Sequence, residues 1–168
     1  MKKEPVFTPL FIARAGMIAA LYVVLTMLFA PISFKEVQVR ISEALTLLPL
    51  FTPAAIPGLF VGCLISNILG GCILWDIIFG SIATLLGATF GYMLRRNKWL
   101  VPVPAIVANT IIVPLVLRFG YGVNLPFILL VLSIAAGEFL SCFVLGELLA
   151  KVLSPIRGML FGEDSMAI

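Results

Sequence analysis

Residues 44–75 carry no charge, and that stretch narrows the possible folds of this chain more than any other. Wound as one α-helix at ~1.5 Å per residue it would run about 48 Å, against a membrane hydrocarbon core of ~30 Å. Pro49, Pro53 and Pro57 punctuate its first half, and Gly58 follows. Each proline lacks the N–H that a helix interior needs. The run therefore reads as two helices parted near 53–58. Further uncharged runs near the ~20 residues of a membrane span lie on both sides of it.

With 62% hydrophobic and 11% charged residues, at a mean hydropathy of +1.20, the chain cannot cover itself as soluble domains do, with roughly 25% charge. The alternating pattern of barrel strands is absent, and backbone groups in lipid must be satisfied within each segment. The expected fold is one all-α integral membrane domain over 1–168. It is a compact bundle of six transmembrane helices, near 11–31, 43–54, 57–72, 76–95, 99–118 and 125–150.

Positive charges give the orientation. With six spans and an inner N-terminus, Lys2, Lys3, Arg14, Arg95, Arg96, Lys98, Lys151 and Arg157 lie inside; Lys35, Arg40 and Arg118 lie outside. Joining 44–75 into one span would set the Arg95 cluster opposite Lys2 and Lys3, against the positive-inside rule. Both termini are therefore expected to be cytoplasmic. The first apolar run resembles a signal peptide behind Lys2 and Lys3. It is long, however, ends at Pro31 and lacks a small-residue cleavage site, so it reads as the first span.

Several classes of function fall away. There is no His, no G-x-S-x-G elbow, no C-x-x-C pair and no G-x-x-x-x-G-K-[ST] loop, so the chain is expected not to be an enzyme. Cys63, Cys72 and Cys142 are odd in number and lie in apolar segments; they read as small buried hydrophobes rather than disulfides or metal ligands. No cofactor is implied. No basic cluster is interleaved with aromatics, which argues against nucleic acid.

The island at 34–43, FKEVQVRISE, joins the first two spans on the outer side. It reads as the lid and upper wall of a pocket. Its Glu36–Arg40 and Arg40–Glu43 spacings equally fit surface helix pairs worth a few tenths of a kcal/mol. Below it fall Asn67, Asp76, Asn109 and Glu138. An ionisable group within a span defaults to function, because it is expensive unless it faces a cavity or a partner. Glu138 ranks first, with no Lys or Arg near it in sequence. Asp76 reads as a ligand contact or as the N-cap of the fourth span. Asn67 and Asn109 read as ligand contacts or interhelical glue. Trp75 reads as an interface anchor. Glu147, near the inner interface, reads as solvated or partner-bound. Ala15 and Ala19, beside Gly16 and Ala20, form a small-residue stripe that admits a close helix, from a partner or from within.

The stretches FKEVQVRISEALTLLP (34–49), PGLFVGCLISNILGG (57–71) and DIIFGSIATLLGATFG (76–91) resemble the QueT family of queuosine-precursor transporters. These are among the substrate-binding S-components of energy-coupling factor (ECF) transporters. The similarity runs along nearly the whole chain, and VQVRISEAL is its most specific part. The resemblance implies a multi-pass subunit of the cell membrane, expected to be a bacterial plasma membrane. It implies capture from outside of a 7-deazaguanine, meaning queuine or its aminomethyl or cyano precursor. It also implies partners: one scaffold transmembrane subunit and two ATP-binding subunits that drive delivery inward. Ala15 and Ala19 match the family's Ala-xxx-Ala scaffold motif, and 34–43 matches the loop that closes over the ligand.

The implied ligand suits the residues. A guanine-like ring offers adjacent N–H donors to a carboxylate. An amine arm is cationic and suits a second one. Glu138 with Glu43 or Asp76 is expected in those roles, with Asn67, Asn109, Gln38 or Arg40 reading the O6 edge and Trp75, Phe34 or Tyr121 stacking on the ring. An S-component for another vitamin-sized solute, or a non-transporting membrane scaffold, are the alternatives.

Overall fold

Thr8 opens the first helix: its Oγ1 accepts from the Phe11 N–H at 3.2 Å, and Pro9 follows at the first helical position. The computed structural model of the chain describes residues 8–33 and 40–161. Gln38 and most of the charged island fall outside them. Among the described residues every element is helical. Four helices are long and apolar enough to cross a membrane: α1 (Pro9–Leu28), α3 (Leu74–Met93), α4 (Lys98–Gly120) and α5 (Phe127–Phe161). Two shorter apolar segments lie between α1 and α3, namely Ile41–Leu50 and α2 (Ala55–Leu69).

The Ile41–Leu50 segment is wound as a 3-10 helix and is buried from Ser42 through Leu50. Such runs seldom exceed 3–4 residues. Here Pro49 sits inside it without a donor, and Thr46 Oγ1 donates to the Glu43 carbonyl at 2.6 Å. The ~2.0 Å rise per residue stretches ten residues to about 20 Å, where an α-helix would reach ~15 Å. The segment occupies the middle of the molecule, packed on α1, α2, α3 and α5. The chain then turns at 51–54, and Phe51 stacks on Phe161 with ring centroids 5.8 Å apart. That contact ties the foot of the central segment to the end of α5.

Small residues set the helix spacing. A Cβ at Gly58 would lie 2.8 Å from the Ala15 carbonyl oxygen, and one at Gly62 would lie 2.7 Å from Tyr22 Cβ. A Cβ at Gly87 would lie 2.7 Å from Ala105 Cα, and one at Gly91 would lie 2.8 Å from the Val101 carbonyl oxygen. The two GxxxG pairs thus form the α1–α2 and α3–α4 seams within this chain. Between α2 and α3 the chain turns through Gly71, whose φ of 70° is costly for any residue with a Cβ.

Both long C-terminal helices contain a widened π-turn: Val116–Gly120 in α4, shortly after Pro114, and Phe139–Leu145 in α5, immediately after Glu138. Proline removes a helix donor, and π-turns recur at functional sites. One core joins Ile18 and Tyr22 of α1 to Leu45, Leu47, Leu48, Leu59 and Cys63. A smaller one joins Val113, Leu117, Leu130 and Ile134 between α4 and α5. The outer faces carry Leu21, Val24, Ile78, Ile111, Leu132 and Leu148, all exposed, as lipid-facing surfaces require.

Candidate functional site

Two carboxylates meet in the core. Glu43, 1% exposed at the top of the 3-10 segment, and Glu138, 8% exposed in α5, converge with Cys142. One ligand-capable atom from each lies within 4.8 Å of the other two. The π-turn that follows Glu138 contains Cys142, whose Sγ donates to Glu138 Oε2 at 3.2 Å. Tyr22, fully buried in α1, donates its hydroxyl to Glu43 Oε1 in a short hydrogen bond. Four residues on, the Thr26 hydroxyl donates to the Tyr22 carbonyl at 2.8 Å and hydrogen-bonds the Ser42 hydroxyl at 2.7 Å, clamping the neighbouring residue of the same segment. Asn109, 4% exposed in α4, lies beside the Glu138 carboxyl. The second Glu43 oxygen, Oε2, has no hydrogen-bond partner among the described residues.

A second polar group lies where α2 and α3 meet. Asn67, 0% exposed, donates from Nδ2 to the Asp76 carbonyl at 3.3 Å, while its Oδ1 is unpartnered among the described residues. Gly80 makes the room: a Cβ there would lie 3.1 Å from both Asn67 Nδ2 and Asp76 Oδ1. Asp76 is not the N-cap of α3. Ile73 holds that position, and Asp76 sits in the first turn, 3% exposed, where the helix dipole favours a carboxylate. Its Oδ2 accepts from the Tyr121 hydroxyl at 3.1 Å. Burial and the Asp76 carboxylate together push the Tyr121 phenol above its usual range, so it remains a donor at physiological pH. Tyr121→Phe is expected to cost about 1–2 kcal/mol, measured as a lower melting temperature of the purified protein in detergent. An unchanged melting temperature would show that Asp76 does not depend on this hydroxyl.

Arg40 links the two groups. It is 7% exposed, donates from Nε to the Ser33 carbonyl at 3.3 Å, and acts electrostatically on Tyr22, Glu43 and Asp76. Three buried carboxylates, Glu43, Asp76 and Glu138, thus share one buried guanidinium among the described residues.

Other sequence candidates fall elsewhere. Trp75 is 61% exposed and stacks on Phe79 at 5.6 Å, facing away from the carboxylates. It lines an apolar groove of about 590 Å³ between α3 and α4, with Ile82, Ile112 and Phe119. Glu147 is not solvated: it is 7% exposed, with Oε2 3.5 Å from Lys98 Nζ. Ala15 is half-buried and Ala19 8% exposed, both along the α2 seam, while Gly16 and Ala20 are exposed one position further round. Tyr22 and Cys142 were not singled out from sequence. Tyr22 and Thr26, four apart in an uncharged run, were the available signal for that face of α1.

Buried carboxylates among helices long and apolar enough to cross a membrane define the class as a membrane-embedded protein. A family model described as QueT transporter matches residues 12–155. The queuosine precursor transporter QueT of Lactococcus lactis subsp. cremoris (strain MG1363) is 30% identical over 158 residues, covering 86% of this chain and 90% of that protein. No solved structure matches. The chain belongs to the QueT transporter family.

Proposed function

We propose that the chain is the S-component of an ECF-type importer: it captures a queuosine precursor, a 7-deazaguanine, on the outer side and delivers it inward. The family match and the name of its Lactococcus relative support that substrate class. The observation that carries the site is the convergence of Glu43 and Glu138, two buried carboxylates of which Glu43 has one oxygen, Oε2, without a donor among the described residues. Such groups are retained in a membrane where a ligand completes them. Arg40, Asn67, Asp76 and Asn109 form the rest of the pocket, with Gln38 contributed from the island above. Trp75 serves at the membrane interface.

In this reading the chain crosses the bacterial plasma membrane six times, with both termini cytoplasmic. The Ile41–Leu50 segment and α2 make two short crossings. A scaffold transmembrane subunit meets α1 along its exposed edge, beside Ala15 and Ala19, and two ATP-binding subunits supply the energy. Titration of the purified protein with queuine tests the substrate. Saturable submicromolar binding is expected, falling roughly 10–100-fold in Glu138→Gln, the range of a charge-assisted hydrogen bond. Failure of every deazapurine to bind would sink the proposal.

A further inference from the structure

The two carboxylates stand too close together to hold opposite ends of one purine-like ring. In a 7-deazaguanine the N1–H and exocyclic amine lie on the six-membered ring, and the side arm leaves the five-membered ring on the far side. Carboxylates serving both would have to stand apart by more than the ring's own width. Glu43, Glu138 and Cys142 instead offer atoms within 4.8 Å of one another. Two N⁺–H···O⁻ bonds of ~2.8 Å that diverge at the tetrahedral angle hold their oxygens about 4.6 Å apart. A single ammonium nitrogen can therefore bridge a Glu43 and a Glu138 oxygen that lie within that limit.

We propose that Glu43 and Glu138 act jointly on one group, the protonated amine of the substrate's side arm, and so select amine-bearing 7-deazaguanines over the uncharged nitrile. The ring's own donors then fall to the Asn67–Asp76 group. This rests on the substrate class proposed above. Two features of the site point the same way. Glu43 Oε2 is buried and has no partner among the described residues, although Tyr22 holds Oε1. Glu43 and Glu138 are also buried carboxyls within 4.8 Å of each other, a pair whose joint ionisation a cation between them favours. Tyr22 and the Cys142 thiol act as positioning residues: each donates to one oxygen of a carboxylate and orients it.

The test is calorimetric titration of the full-length protein in detergent with the aminomethyl and the cyano 7-deazaguanine, and the readout is the ratio of the two affinities. The wild type is expected to prefer the amine by roughly tenfold or more, the range of a charge-assisted hydrogen bond. In Glu43→Gln the ratio should fall toward one. In Asp76→Asn both affinities should fall and the ratio should hold. Glu138→Gln serves as a second variant should Glu43→Gln not fold, and the wild-type ratio decides if neither folds. Equal wild-type affinities, with both ligands bound, would overturn the amine assignment and leave the substrate class standing. Binding of neither would overturn both. Saturable binding of zinc or manganese chloride alone, abolished by Glu43→Gln, would assign the cluster to a metal and overturn the amine reading.

Discussion

Arg40→Met is expected to destabilise the protein by about 3–5 kcal/mol, the range measured when one partner of a buried charge group is removed. Arg40 is 7% exposed and is the buried cation that acts on both Glu43 and Asp76. Methionine fills a similar volume and keeps the apolar stem, so the loss isolates the charge rather than a cavity. Removing the guanidinium leaves the buried Glu43 and Asp76 carboxyls without the cation that acts on both. Chemical denaturation in mixed micelles, comparing Arg40→Met with wild type, measures the change. The sharper measurement is the double variant. Glu43→Gln in the Arg40→Met background should restore part of the loss, giving a coupling energy of about 1 kcal/mol or more between the two positions. A loss below about 1 kcal/mol, or strict additivity, would mean that Arg40 is solvated and not part of the buried centre.

How much of this centre could be read from the chain depends on how each residue contrasts with its surroundings. Asp76 and Glu138 stand out because a carboxylate in an apolar run has so few places to go, whereas Glu43 lies at the end of a charged island where a surface pair with Arg40 fitted equally; the structure places all three in the interior. Tyr22 and Cys142 do not stand out. Both residue types fit an apolar span without a partner, so nothing local marks them as the groups that orient Glu43 and Glu138. The 3-10 winding of Ile41–Leu50 was equally hidden. A segment buried on every side has no polar face, and periodicity then carries no information about pitch. Proline spacing indicates that the 44–75 run divides, but not that its first part is drawn out to fill the centre. The burial of Glu147 was not legible because Lys98, which lies 3.5 Å from it, is far from it in sequence. Trp75 lies directly beside Asp76 in the chain, yet in the first turn of α3 the two side chains leave the helix in different directions. Asp76 goes inward, and Trp75 goes out to Phe79.

Gly62→Leu is expected to separate α1 from α2, with a loss of about 3 kcal/mol or more as an overpacked seam opens. The clash is with atoms that cannot swing aside: a Cβ at this position already meets Tyr22 Cβ at 2.7 Å and the Ala19 carbonyl oxygen at 3.1 Å. Relief requires α1 to move outward. That motion withdraws the Tyr22 hydroxyl from Glu43 and Thr26 from Ser42, so ligand binding should fail together with stability. Gly16→Leu, on the facing helix α1, provides the contrast. Gly16 is exposed, and a Cβ there meets nothing within 4 Å, so the melting temperature and ligand affinity of the isolated protein should match the wild type. If the scaffold subunit meets this edge of α1, Gly16→Leu should nevertheless abolish uptake in cells that carry the whole transporter. Ala19→Leu cannot make that distinction, because Ala19 is 8% exposed and packed along the α2 seam. A Gly62→Leu protein that melts and binds like the wild type would show that the α1–α2 seam is not what aligns Tyr22 with Glu43. A Gly16→Leu transporter with full uptake would place the scaffold on another face.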